Sequence, residues 1–232
     1  GKKKMADYDI MMFPGGFSYG DDTGSGNAFA NKLKNNLWTD LQTFIADKKL
    51  IFGVCNGFQI MTNLGLFATK EGAYGKRIHA MDANDSNRYE CLWVHLKNHS
   101  SKCVFTRGIQ KLHVPIAHGE GKFVCDNDTY RTLSKNDQIV FTYTHEDGGL
   151  ADGEYPLNPN GSRDDVAGIC DCSGRIFGMM PHPERALYTV NQPLFHKKKI
   201  QAKRAGKQLG TFLESNKQVF ENAIEYVKEQ QR

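Results

Sequence analysis

The stretch Lys49–Gln59, "KLIFGVCNGFQ", constrains this chain more than any other. Its first half is a short continuous apolar run that reads as a buried strand. Its second half opens a helical pattern, with Phe58, Ile60, Met61 and Leu64 recurring before a stop near Gly65. At the junction stands Gly53-Val54-Cys55-Asn56-Gly57. Cysteine is usually a packing residue, but a cysteine between two glycines at a strand-to-helix turn has the G-x-nucleophile-x-G form of a nucleophile elbow.

The rest of the chain supplies a setting for such a turn. Ile10–Phe13 is a second short apolar run, broken at Pro14-Gly15-Gly16. A helix is expected where Leu37, Leu41, Phe44 and Ile45 recur at helical spacing. Further strands are expected over Arg88–Leu96, Gln138–Thr144 and Arg175–Met180, the last ending at Pro181. From Leu209 to Val227, residues Phe212, Leu213, Val219, Phe220, Ala223, Ile224 and Val227 form one apolar stripe, which suits a terminal helix covering a sheet. Buried runs alternating with helices predict an α/β fold, with a mostly parallel central sheet and helices on both faces. In such sheets, sites gather at the carboxyl ends of strands. The loops after Phe13, Val54 and Met180 meet that description. With no repeat or convincing linker, residues 1–232 read as one domain.

Composition excludes several classes. A net charge of +4 does not argue for nucleic-acid binding. The basic run Phe195–Lys207 lacks interleaved aromatic residues for stacking on bases, so it reads as a solvated face, or as a surface for an acidic partner. No segment approaches the roughly 18 apolar residues of a membrane helix, and the basic N-terminus has no apolar core of a secretory signal. The six cysteines form no C-x-x-C pair, and no second pair accompanies Cys170 and Cys172 at zinc spacing. They read as reduced thiols of a cytoplasmic protein with no metal site.

The chemistry of the elbow can be followed residue by residue. The following helix turns its unpaired N–H groups and positive dipole end toward Cys55, which favours thiolate. The N–H of Asn56 is placed to stabilise an oxyanion. Of the eight histidines, His182 in "MMPHPER" directly follows an apolar strand and has a partner able to orient it two residues on. In an extended segment, Glu184 points the same way as His182 and holds its tautomer. "PGGFSYGDD" lacks the G-K-[ST] of a phosphate loop. Gly15 and Gly16 instead offer a second source of backbone N–H groups near the sulfur.

Together these residues resemble the triad-type (class I) glutamine amidotransferases. Within that group "PGGFSYGDD", "GVCNGFQ", "VPIAHGEGKF", "YPLNPNGS", "AGIC" and "GMMPHPER" resemble the glutaminase subunits and domains of phosphoribosylformylglycinamidine synthases. The resemblance implies a flavodoxin-like amidotransferase architecture, here beginning after the family's first strand and helix. It implies Cys55 as nucleophile, His182 as general base and then acid, and Glu184 as its orienting residue. Gly16 and Asn56 correspond to the oxyanion donors, Gln59 to a position contacting glutamine, and Arg88 to a candidate for the substrate carboxylate. His118 and Glu120 fall in a family block without an assigned role. The implied substrate is L-glutamine, and the implied partner is a synthetase carrying the ATP and magnesium that this chain lacks, so no cofactor is expected here. The alternatives are another elbow-cysteine hydrolase, such as a peptidase or γ-glutamyl hydrolase, and a subunit silent without its partner.

Overall fold

A computed structural model describes residues 3–20 and 24–231. Gly1 and Lys2 of the basic N-terminus, and Asp21 and Asp22 of "PGGFSYGDD", lie outside the described residues. The elements in chain order are β1 (Ile10–Phe13), α1 (Asn27–Ala46), β2 (Leu50–Val54), α2 (Asn56–Leu64), β3 (Ala80–Asp82), β4 (Trp93–Asn98), β5 (Lys111–Pro115), β6 (Lys122–Val124), α3 (Asn127–Lys135), β7 (Ile139–Thr144), β8 (Val166–Cys170), β9 (Ile176–Met179), α4 (Phe195–Arg204) and α5 (Glu214–Gln230). Seven strands form one sheet in the order β1-β2-β9-β8-β7-β4-β5, and β3 pairs with β6 in a small antiparallel ribbon.

The sheet is mixed. β1, β2 and β9 are parallel neighbours, whereas every pairing from β9 through β8, β7 and β4 to β5 is antiparallel. The parallel character expected from the sequence is therefore concentrated in one group of three strands. Their carboxyl ends lie side by side, which is where an α/β sheet presents a site.

Helices cover both faces, as adjacent residues of β2 reveal. The Phe52 ring stacks on Phe177 at 5.2 Å and meets Phe105 and Phe220, the last on α5. Its neighbour Gly53 faces α2, where an added Cβ would stand 2.9 Å from the Gly57 backbone. Since successive strand residues point to opposite faces, α2 and α5 pack on opposite sides of the sheet.

Several expectations shift in detail. Of the strand expected over Arg88–Leu96, only the part from Trp93 is strand. Upstream, Glu90 makes an isolated bridge to His118, and the Arg88 carbonyl is taken by the Asn84 side chain. The terminal helix begins at Glu214, after Phe212 and Leu213, and Ile224 is half exposed. Two asparagines sit on its buried face instead. Asn216 donates to the carbonyls of His113 and Ala186, and Asn222 to those of Phe105 and Arg107. The basic run forms α4, which buries no residue. Among the described residues no helix is long and apolar enough to cross a membrane.

Candidate active site

The elbow forms where β2 enters α2. Cys55 has φ 53° and ψ −112°, a backbone conformation that costs a non-glycine residue about 1–3 kcal/mol. The turn is held by the Cys55 N–H donating to the Met179 carbonyl of β9 at 2.9 Å. Close packing explains the flanking glycines. A Cβ at Gly57 would fall inside the Phe13 peptide group, 2.6 Å from its carbonyl carbon. The first turn of α2 is thus pressed onto the end of β1, and this places its unpaired N–H groups beside the sulfur.

The loop after β1 brings Gly15 to the same point. A Cβ added there would lie 2.9 Å from Cε1 of His182 and 3.5 Å from Cβ of Cys55. The imidazole and the thiol therefore flank one position, delivered by the ends of the three parallel strands. His182 is buried, and its N–H is fixed by the Pro115 carbonyl at 2.8 Å. Its Nδ1 lies 2.5 Å from Oε1 of Glu184. The extended geometry expected for this pair is not what joins them: Pro183–Ala186 is a turn of 3-10 helix, with His182 at its N-cap. Proline at the first helical position suits that turn, and one residue inside it Glu184 reaches back to the ring.

A cleft of about 290 Å³ opens beside Cys55, lined among others by Gly16, Gln59, Arg88, Tyr89, His118 and Glu120. Gly16 has φ 142°, a conformation open to glycine. Asn56 accepts from the Ser18 N–H at 3.3 Å and donates to Oε1 of Gln59 at 3.0 Å. Gln59 in turn donates to the Glu120 carbonyl at 2.5 Å, and the Glu120 carboxylate accepts from the Ser25 N–H at 3.1 Å. This chain of bonds ties the Gly15–Gly16 loop to the elbow. Much of the Gln59 amide is spent on that scaffold, although the residue lines the cleft. Arg88 is exposed at the mouth. Phe17 and Tyr89 face each other with ring centroids 6.2 Å apart.

The block "HGEG" takes on a physical meaning that spacing could not supply. His118 is buried beside the cleft, and the Glu120 carboxylate holds the Ser25 N–H just before α1. Gly121 is required, because a Cβ there would stand 2.7 Å from Nε2 of His118 and nearer still to the rest of the ring. Asn84 binds His118 Nδ1 at 3.1 Å, and nothing in its local sequence marks it. The Ala117 carbonyl accepts from the Cys55 thiol at 3.6 Å. Among the described residues no group of three metal-ligating side chains is assembled.

A family model described as the CobB/CobQ-like glutamine amidotransferase domain matches residues 1–227. The chain belongs to the glutamine amidotransferases. A phosphoribosylformylglycinamidine synthase subunit PurQ from Methanococcus maripaludis is 64% identical over 226 residues, covering 97% of this chain and 83% of that protein. The subunit of the same name from Picrophilus torridus is 44% identical over 187 residues, covering 81% of this chain and 72% of the other. A chain in the solved structure of PurLQS from Thermotoga maritima aligns with a TM-score of 0.67 at 30% identity, over 97% of this amidotransferase and 82% of that chain.

Proposed function

We propose that this amidotransferase is the glutaminase component of a phosphoribosylformylglycinamidine synthase, and that Cys55, His182 and Glu184 are its catalytic residues. The observation that carries the assignment is the meeting of the Cys55 side chain and the His182 imidazole at Gly15, with the Glu184 carboxylate on Nδ1 of that imidazole. The relatives named above supply the reaction: their enzyme makes phosphoribosylformylglycinamidine.

Glutamine enters the 290 Å³ cleft with its carboxamide toward Cys55 and its carboxylate toward Arg88. His182 takes the thiol proton through Nε2, while Glu184 accepts from Nδ1–H and stabilises the imidazolium. The sulfur attacks the carboxamide carbon. The oxyanion is met by the N–H groups of Asn56 and Gly16. His182 returns the proton to nitrogen as the C–N bond breaks, leaving ammonia and a glutamyl thioester. His182 then activates water, which releases glutamate. His182 Nε2 makes no hydrogen bond within the chain. Catalytic contacts often tighten only when substrate binds.

The synthetase partner consumes the ammonia and holds ATP and magnesium. The described residues act as one glutaminase unit, in the cytoplasm, where the six thiols stay reduced. The test is Cys55→Ala in the complex reconstituted with synthetase. Glutamine-dependent product formation should fall to background while ammonia-dependent formation persists. Loss of both, or of neither, removes Cys55 from the reaction.

A further inference from the structure

Two buried imidazoles stand near the Cys55 thiol, and only His182 has a role in the reaction above. His118 follows Ala117, whose carbonyl meets the sulfur, and is itself one of the residues lining the same cleft. Its hydrogen-bond partners fix its tautomer. The Asn84 Nδ2 group donates to the carbonyls of Arg88 and His118, both at 2.8 Å. Oδ1 of Asn84 is therefore the atom facing the ring, and it already accepts the Gly121 N–H at 3.1 Å. Against an acceptor, Nδ1 of His118 must carry the proton. Its Nε2 is left with a lone pair, buried and without a hydrogen-bond partner. Such an orphaned acceptor is costly unless something donates to it.

The two rings differ in what stands behind them. His182 is backed by a carboxylate and His118 by a neutral amide. Burial also holds His118 far below the usual histidine range, at about 3, and the charge of His182 acts in the same direction. His118 therefore stays neutral and does not compete for the thiol proton. What it offers is one fixed acceptor. The carboxamide at Cys55 brings two N–H donors, and only the nitrogen's own electron pair receives the proton from His182.

We propose that His118 contacts substrate: its Nε2 accepts one N–H of the glutamine carboxamide and of the departing ammonia, turning the nitrogen's free electron pair toward His182. This rests on the glutaminase reading. The C–N electrons remain on nitrogen, the proton comes from His182 Nε2, and His118 exchanges no proton. A substrate or label whose reacting group lacks N–H should be indifferent to this acceptor.

The test compares His118→Asn with His118→Gln in the complex reconstituted with synthetase. Asparagine keeps a donor toward Asn84 but cannot reach the Nε2 position; glutamine places an amide oxygen near it. His118→Asn should lower kcat for glutamine about 10- to 100-fold with KM within a few-fold, as expected for a lost partner of a buried polar group. His118→Gln should recover most of that loss. A diazoketone analogue of glutamine, which has no carboxamide N–H, should label Cys55 in both variants within about three-fold of the parent rate. Equal losses in the two variants, labelling that falls in step with turnover, or full turnover in His118→Asn would each overturn the proposal. Failure of the parent itself to hydrolyse glutamine or to be labelled would instead overturn the glutaminase reading, and this proposal with it.

Discussion

Gly57→Ala isolates the contribution of packing at the elbow. The new methyl would stand 2.6 Å from the Phe13 carbonyl carbon and 2.8 Å from its Cβ. Carbon atoms in contact prefer about 3.5–4.0 Å, and the Phe13 carbonyl oxygen lies closer to the new methyl than its carbon does, so the first turn of α2 must withdraw from β1 by at least about 1 Å. Alanine gains about 1 kcal/mol over glycine within a helix. Overpacking against a backbone group costs about 1–3 kcal/mol, leaving the fold modestly destabilised. The larger consequence is geometric, because Asn56 and Cys55 move with that turn. A displacement of 1 Å at a reacting group costs about 100-fold in rate. Steady-state glutaminase assays of the reconstituted complex, with denaturant titration of the variant, measure the two effects separately. Gly210→Ala serves as the control, since its Cβ would meet only the Phe212 carbonyl at 3.7 Å, an ordinary contact. Turnover by Gly57→Ala within about three-fold of the parent would show that the elbow does not position the nucleophile.

Glu184→Gln places an amide against Nδ1 of His182, where a carboxylate now lies at 2.5 Å. By analogy with triads that lose their acidic member, kcat should fall about 100-fold or more while KM changes a few-fold; unchanged kcat in steady-state kinetics would remove Glu184 from the site. A second expectation concerns pH. Burial holds His79 and His118 at about 3, against about 6.5 in an unfolded chain. Between those values the unfolded state takes up a proton at each site and the folded state does not. Their contribution is therefore intact above pH about 6.5 and is lost at about 1.4 kcal/mol per pH unit per histidine as pH falls toward about 3. Urea titrations at pH 7 and pH 5 should differ by several kcal/mol, and equal stabilities would refute the burial of these rings.

The parts of the site legible in the sequence were those whose chemistry is local. Gly53, Cys55 and Gly57 lie within five residues, and His182 and Glu184 within three, so spacing alone suggested an elbow and an oriented imidazole. The far wall of the cleft was not legible in this way. Its residues come from loops without periodicity, and the one that fixes His118, Asn84, lies 34 positions upstream. The fold divides similarly. β1 and β9 are apolar runs that break at or near a proline, β2 is an apolar run that enters the elbow at Cys55, and all three were expected close to their observed bounds. β5, "KLHVP", carries a lysine and a histidine on a half-exposed face, and α3 buries only Leu133, so neither had an apolar signature. In α5 the apolar stripe was a partial guide, because Asn216 and Asn222 hold loop carbonyls from positions that hydrophobicity alone assigns to solvent.

These differences trace a division of labour across the sheet. The three parallel strands deliver the sulfur, the imidazole and the loop of Gly15 and Gly16 to one edge, by backbone packing so close that Gly57 admits no side chain. The segment that follows antiparallel β5 supplies Ala117, His118 and Glu120, which close the other side of the cleft. The reaction proposed for Cys55 needs one base, not two, and the two buried imidazoles of the site differ in the group set behind each ring. A carboxylate stands behind His182, where the proposed mechanism needs a cation stabilised, whereas an amide oxygen and burial keep His118 neutral. If that asymmetry governs the site, Asn84→Asp should lower turnover on two grounds: a carboxylate behind His118 would create a second base beside Cys55, and the Arg88 and His118 carbonyls would lose the donor that Asn84 Nδ2 now gives them.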